Sequence, residues 1–107
     1  MKMITAIINK KDAAEVCDSL AENGYTFTKM ATTGGFLQAG NVTLLIGTED
    51  EKVEDALALI RKHCAKRIEP MSSFINAGGP SFGYYKTEVL VGGATVFVTP
   101  VERFEKM

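Results

Sequence analysis

The chain has 107 residues, a length that suits one domain, here 1–107, around one modest core. Lys and Arg number 12 against 13 Asp and Glu, a net charge of −1, so the basic stripe that holds long nucleic acid by its phosphates is missing. No apolar run approaches the ~20 residues of a membrane span and the opening MKMITAIIN is no signal peptide, so a cytoplasmic protein without membrane insertion is expected.

Residues 2–9 are predicted as a strand, with Ile4, Ala6 and Ile8 on one face and Met3, Thr5 and Ile7 on the other. Asp12 and Glu15 have the spacing of a capping box. Ala13, Val16, Cys17, Leu20 and Ala21 then form one helical stripe, and Gly24 supplies the stop. Residues 25–31 form the second expected strand, with Thr26 and Thr28 on one face. Residues 41–47 form the third, with Asn41 and Gly47 pointing the same way. Thr48 and Glu51 suggest a second capping box, and Val53, Ala56, Leu57, Ile60 and Cys64 a second amphipathic helix. Lys62, His63, Lys66 and Arg67 gather at its end, where the helix dipole favours cations.

Residues 68–85 have no clear period and are expected to be a long irregular segment, of the kind that is usually functional. Strands are expected at 86–91 and 94–99, joined as a hairpin by Gly92–Gly93. Pro100 ends the last one, and the tail 101–107 frays or docks.

The order is β-α-β-β-α-β with an added C-terminal strand. That is an α+β, ferredoxin-like arrangement, an antiparallel sheet with both helices on one face. Two helices cover one face only, yet Met3, Ile7, Leu45, Val89, Val91, Val96 and Val98 make the strands apolar on both. Soluble monomers avoid so large an open patch, so a homo-oligomer packed through the uncovered face is expected.

Cys17 and Cys64 belong to no CxxC motif, and the single histidine, His63, has no second ligand pair nearby. Both cysteines fall on apolar stripes and read as buried thiols, so no metal and no cofactor is expected. No Ser–His–acid or Cys–His pairing and no G-x-x-x-x-G-K-[ST] loop is visible, which speaks against an enzyme.

The decapeptide TTGGFLQAGN at 32–41 is too long for a plain hairpin turn. Its glycines and hydroxyls offer backbone N–H groups, and Phe36 and Leu37 offer an apolar surface. That combination suits an anionic ligand with a flat ring, which is to say a nucleotide.

These residues resemble a known group. The β-α-β-β-α-β plan, the segment KMATTGGFLQAGN at 29–41 and the segment VGGATVFV at 91–98 look like those of the PII-like cyclic di-AMP receptors of Gram-positive bacteria. The similarity covers essentially the whole chain. It implies a PII-like homotrimer with a cyclic dinucleotide in each cleft between subunits. It also implies a ligand-sensing loop at 33–41 and an effector loop at 68–85. On this resemblance Phe36 and Leu37 pack against an adenine, Thr28 and Asn41 hydrogen-bond the ligand, and Gly47 lets the backbone approach an adenine edge. Gly35 joins the ligand set, and Phe97 matches a family aromatic that packs in the core or meets the ligand.

Three positions depart from the pattern. Gly24 stands where Asn is common, and Thr26 and Gln38 stand where Arg is common. An Arg–phosphate contact contributes roughly 1.5–3 kcal/mol. The resemblance therefore implies a receptor that binds cyclic di-AMP, switches its loops and signals to an unknown protein target. The alternative is a trimeric PII-like interaction module that has lost this ligand and senses another adenine nucleotide or binds a protein constitutively.

Overall fold

The computed structural model describes residues 1–32, 40–65, 67–71 and 87–107; at 32, 67–71 and 87–91 it describes the backbone alone. The strand β1 (Lys2–Asn9) runs straight into the helix α1 (Lys10–Glu22). The strands β2 (Thr26–Thr32) and β3 (Asn41–Thr48) follow. A 3-10 turn at Asp50–Lys52 leads into α2 (Val53–His63). Then come β4 (Arg67–Met71), β5 (Thr87–Val91) and β6 (Ala94–Pro100).

The main sheet is antiparallel in the order β2-β3-β1-β6, with β1 in the middle. Its register sets the two faces, because side chains alternate along a strand. Ile4 faces Ile46, Ala6 faces Leu44 and Ile8 faces Val42. These six side chains are buried under α1 and α2 with Ala13, Val16, Leu20, Ala56 and Ile60. Fully burying a branched apolar side chain stabilises by roughly 1.5–3 kcal/mol. The stripe expected on α1 holds through Leu20, but Ala21 is exposed.

The α+β, ferredoxin-like fold with two helices on one face is present. Its fourth sheet strand is not the segment expected, however. β6 takes that place beside β1, whereas β5 pairs with β4 in a separate two-stranded sheet, Arg67 opposite Val91 and Met71 opposite Thr87. The added strands thus lie between α2 and the last strand, not at the C-terminus. Gly92 and Gly93, at φ +87 and +83, do not close a hairpin; they carry the chain from one sheet to the other. The Gly93 N–H donates to the Cys64 carbonyl and pins that crossing to the end of α2. Residues 68–71, expected to be irregular, are strand, and 72–86 lie outside the described residues.

Both expected capping boxes are replaced. Asn9 caps α1, its side chain accepting from the Lys11 amide at 2.9 Å, because β1 ends there with no intervening loop. Asp12 is instead buried in the first turn. Glu49 precedes the 3-10 turn without a side-chain cap bond, and α2 begins only at Val53. At the other end of α1 the expected stop is made. Gly24 takes φ +84, its N–H reaches the Ala21 carbonyl at 3.1 Å, and the Tyr25 N–H reaches that of Leu20 at 2.9 Å. This pair of bonds is a Schellman closure.

Candidate functional site

The face of the sheet away from the helices is built from the alternate residues. Thr26, Gly47, Met3 and Thr99 form one row across it, Thr28, Leu45, Thr5 and Phe97 the next, and Met30, Thr43, Ile7 and Thr95 the third. Met30 is 38% exposed and Phe97 50%.

At one end of this face is a cleft of about 500 Å³. Its floor includes Thr26, Thr28, Leu45 and Gly47, and one wall is the tail beyond β6, with Val101, Phe104 and Lys106. The tail is held close by the Val101 N–H, which donates to the Met1 carbonyl at 3.1 Å and continues the β1–β6 ladder. Phe104 is 65% exposed. A Cβ at Gly47 would meet nothing nearer than the Met1 terminal carbon at 3.9 Å, so the glycine leaves the cleft open rather than relieving a clash.

β2 is fixed at this end by Tyr25. Its ring is buried, its hydroxyl donates to the Lys52 carbonyl at 3.0 Å, and the Lys52 ammonium lies 5.9 Å from the ring centre. Burial pushes the Tyr25 hydroxyl above its ordinary pKa, so it remains a neutral donor. Gly24 lies just before β2, and a Cβ there would meet nothing within 4 Å, although its positive φ favours glycine.

The structure therefore brings Thr26, Thr28 and Gly47 together. It does not bring Asn41 to them. Asn41 is six residues further along β3, ~20 Å away at strand spacing, opposite Thr32 and Asn9. Phe97 shares the row of Thr28 but lies three strands across, ~14 Å away. Gly35, Phe36, Leu37 and Gln38 lie outside the described residues. Sequence reasoning missed the contribution of the tail. A Phe and a Lys beyond Pro100 are its only signal, and nothing in their spacing says which surface they meet.

The helices carry a different chemistry. The His63 Nδ1 lies 3.5 Å from a Glu15 carboxylate oxygen, joining α2 to α1. Cys64 is buried and Cys17 half-buried, and neither forms a disulfide. Burial pushes the Cys17 thiol up, against the opposing pull of Lys29. All of this is on the far side of the sheet from the cleft. Among the described residues no group of three or more His, Cys, Asp or Glu is placed to hold a metal ion. Among them, too, no helix is long and apolar enough to cross a membrane.

Comparison with known proteins adds three findings. A family model described as "Cyclic-di-AMP receptor" matches residues 1–107. A solved structure of a functionally unknown protein from Pediococcus pentosaceus ATCC 25745 is 40% identical, with a TM-score of 0.79 over 99% of this chain and 96% of that one. The structure of Arabidopsis thaliana PII bound to citrate is 18% identical, with a TM-score of 0.62 over 94% of this chain and 73% of that one. At that identity the last likeness concerns the fold, which is PII-like, and not the ligand.

Proposed function

The chain belongs to the cyclic-di-AMP receptor family, and from that premise we propose that it is a signalling receptor, not an enzyme, that binds cyclic di-AMP between the subunits of a homotrimer. One observation carries the subunit part of this reading. The ligand residues expected from the resemblance fall into two groups at opposite ends of the uncovered face, Thr26, Thr28 and Gly47 at one and Asn41 at the other. One compact ligand reaches both groups when a neighbouring copy brings its loop end to the cleft of the first. The apolar open face, with Met3, Ile7, Met30, Leu45 and Phe97, supports such packing.

In this reading an adenine enters the cleft above Gly47, and Thr28 hydrogen-bonds it. Gly35, Phe36, Leu37 and Gln38 of the sensing loop close on the ligand together with Asn41. Contacts made only in the closed arrangement bias the loops toward it, and the altered surface is presented to a protein target. A second reading has a specific motive. Thr26 contributes an uncharged hydroxyl to the cleft where the family pattern has an arginine, which fits a module that senses another adenine nucleotide or holds a protein target constitutively.

Calorimetric titration with cyclic di-AMP, with ATP and cyclic di-GMP as controls, separates the two. The receptor reading expects saturation at one cyclic di-AMP per protomer and a weaker response from Thr28→Ala. Heat with ATP alone, or with none of the three, favours the second reading. Limited proteolysis at 68–85 tests the switch. Equal cleavage with and without saturating ligand contradicts it.

A further inference from the structure

A cyclic dinucleotide has two adenines to place. The resemblance gives one of them the apolar surface of Phe36 and Leu37, on the loop side with Asn41. The other, in the cleft above Gly47, meets hydroxyls, Leu45 and a glycine with open space where a Cβ would be. None of these offers an aromatic face. Tyr25 is buried, with its hydroxyl bound to the Lys52 carbonyl. Phe27 lines the cleft but stands opposite Ile46 on the helix-covered face and packs against the core.

Phe104 is not committed in this way. It is the one apolar residue in the run Glu102–Lys106. It is 65% exposed, and it lines the same cleft as Thr26 and Gly47. A ring that served only to anchor the tail would be buried against the sheet. This one keeps most of its surface free beside a space of about 500 Å³, a size that suits a small-molecule pocket. Its position is defined from both sides. Three residues earlier the Val101 N–H is bound to the Met1 carbonyl at 3.1 Å, which ties the tail to the start of β1. The Arg103 Nε lies 2.9 Å from a Glu105 carboxylate oxygen, so the side chains flanking the ring pair with each other. A free aromatic face beside a cleft suits a flat π-system, because bases and aromatic side chains stack face to face.

We propose that Phe104 is the platform on which the adenine in the cleft stacks, which makes the tail beyond β6 a wall of the ligand site. This rests on the receptor reading above.

The test is calorimetric titration of cyclic di-AMP into wild type, Phe104→Ala, Phe104→Leu and Phe104→Trp, with the native mass of each. Phe104→Ala is expected to bind about tenfold more weakly or worse, and Phe104→Leu to recover little of that loss. Phe104→Trp is expected to bind at least as tightly as wild type, and all four proteins to assemble alike. The chain has no tryptophan of its own. The emission of Phe104→Trp therefore reports on this position alone, and the ligand is expected to quench it in step with the calorimetric curve. Equal affinity of wild type and Phe104→Ala, or a Phe104→Trp emission that bound ligand leaves unchanged, overturns the stacking role and leaves the receptor reading standing. Full recovery by Phe104→Leu, or loss of assembly in Phe104→Ala, assigns the ring to apolar packing and also overturns it. No binding by wild type overturns both.

Discussion

Leu44 and Leu45 are neighbours on one strand and chemically identical, yet they belong to different surfaces. Leu44 is fully buried under the helices, in the same layer as Ile4, Ile46 and Ala6. Leu45 lies on the uncovered face between Thr5 and Thr28, at the floor of the cleft. Apolar character alone therefore does not say what a residue is for. One face of the sheet folds the protomer. The other keeps Met3, Ile7, Met30, Leu45 and Phe97 among threonines after folding is complete, and we propose that it is kept for a second copy and a ligand.

Substitutions on the two faces should separate these roles. The largest effect on folding is expected from Leu44→Ala, a cavity at the centre of the core that costs ~2–5 kcal/mol. Chemical denaturation reads it as a lowered midpoint. Leu45→Glu should leave the circular dichroism of the protomer nearly intact, since uncovered positions change stability by only about 0.5 kcal/mol. It should nevertheless abolish assembly, because a carboxylate would be buried without a partner. A Leu45→Glu protein of unchanged mass in light scattering would place the interface elsewhere.

Smaller effects are expected where the cleft is held in position. Gly24→Ala forces a side chain into the left-handed region and should cost about 1 kcal/mol or slightly more. Tyr25→Phe removes the hydroxyl bond to the Lys52 carbonyl and should cost roughly 0.5–1.5 kcal/mol. Because Tyr25 adjoins Thr26, the Tyr25→Phe protein should also bind cyclic di-AMP more weakly than its modest loss of stability suggests. Unchanged affinity would confine Tyr25 to stability.

The two faces were legible in the sequence because alternation is a local property. The period of two fixed β1 at 2–9, and the helical stripes through Leu20 and Cys64 predicted which sides of α1 and α2 are buried. Pairing is not local. Gly92–Gly93 has the composition of a hairpin turn, but β5 finds β4 and β6 finds β1, partners some twenty and ninety residues away in sequence. Pro70 hid β4, since proline argues against a central strand. It is tolerated opposite Glu88 because both strands of a two-stranded sheet are edges. Asp12 and Glu15 matched the spacing of a capping box, but where α1 starts is decided by where β1 stops, and the cap is Asn9.

The site divides in the same way. The shared facing of Thr26, Thr28 and Gly47 followed from strand parity. The wall supplied by Phe104 and Lys106 did not, because a tail has no period to read. The ~20 Å between Asn41 and Gly47 was legible too, since six residues of one strand span it; the register adds that Asn41 stands opposite Asn9 and Thr32 while Gly47 stands opposite Met3 and Thr26.

Native mass spectrometry of the intact protein with cyclic di-AMP tests whether the uncovered face makes a ligand site between copies. A trimer that takes up three ligands, and a Leu45→Glu monomer that takes up none, are the predicted results. A monomer that binds the ligand as well as the assembled protein does would contradict a shared site, and a trimer that ignores the ligand would contradict the receptor.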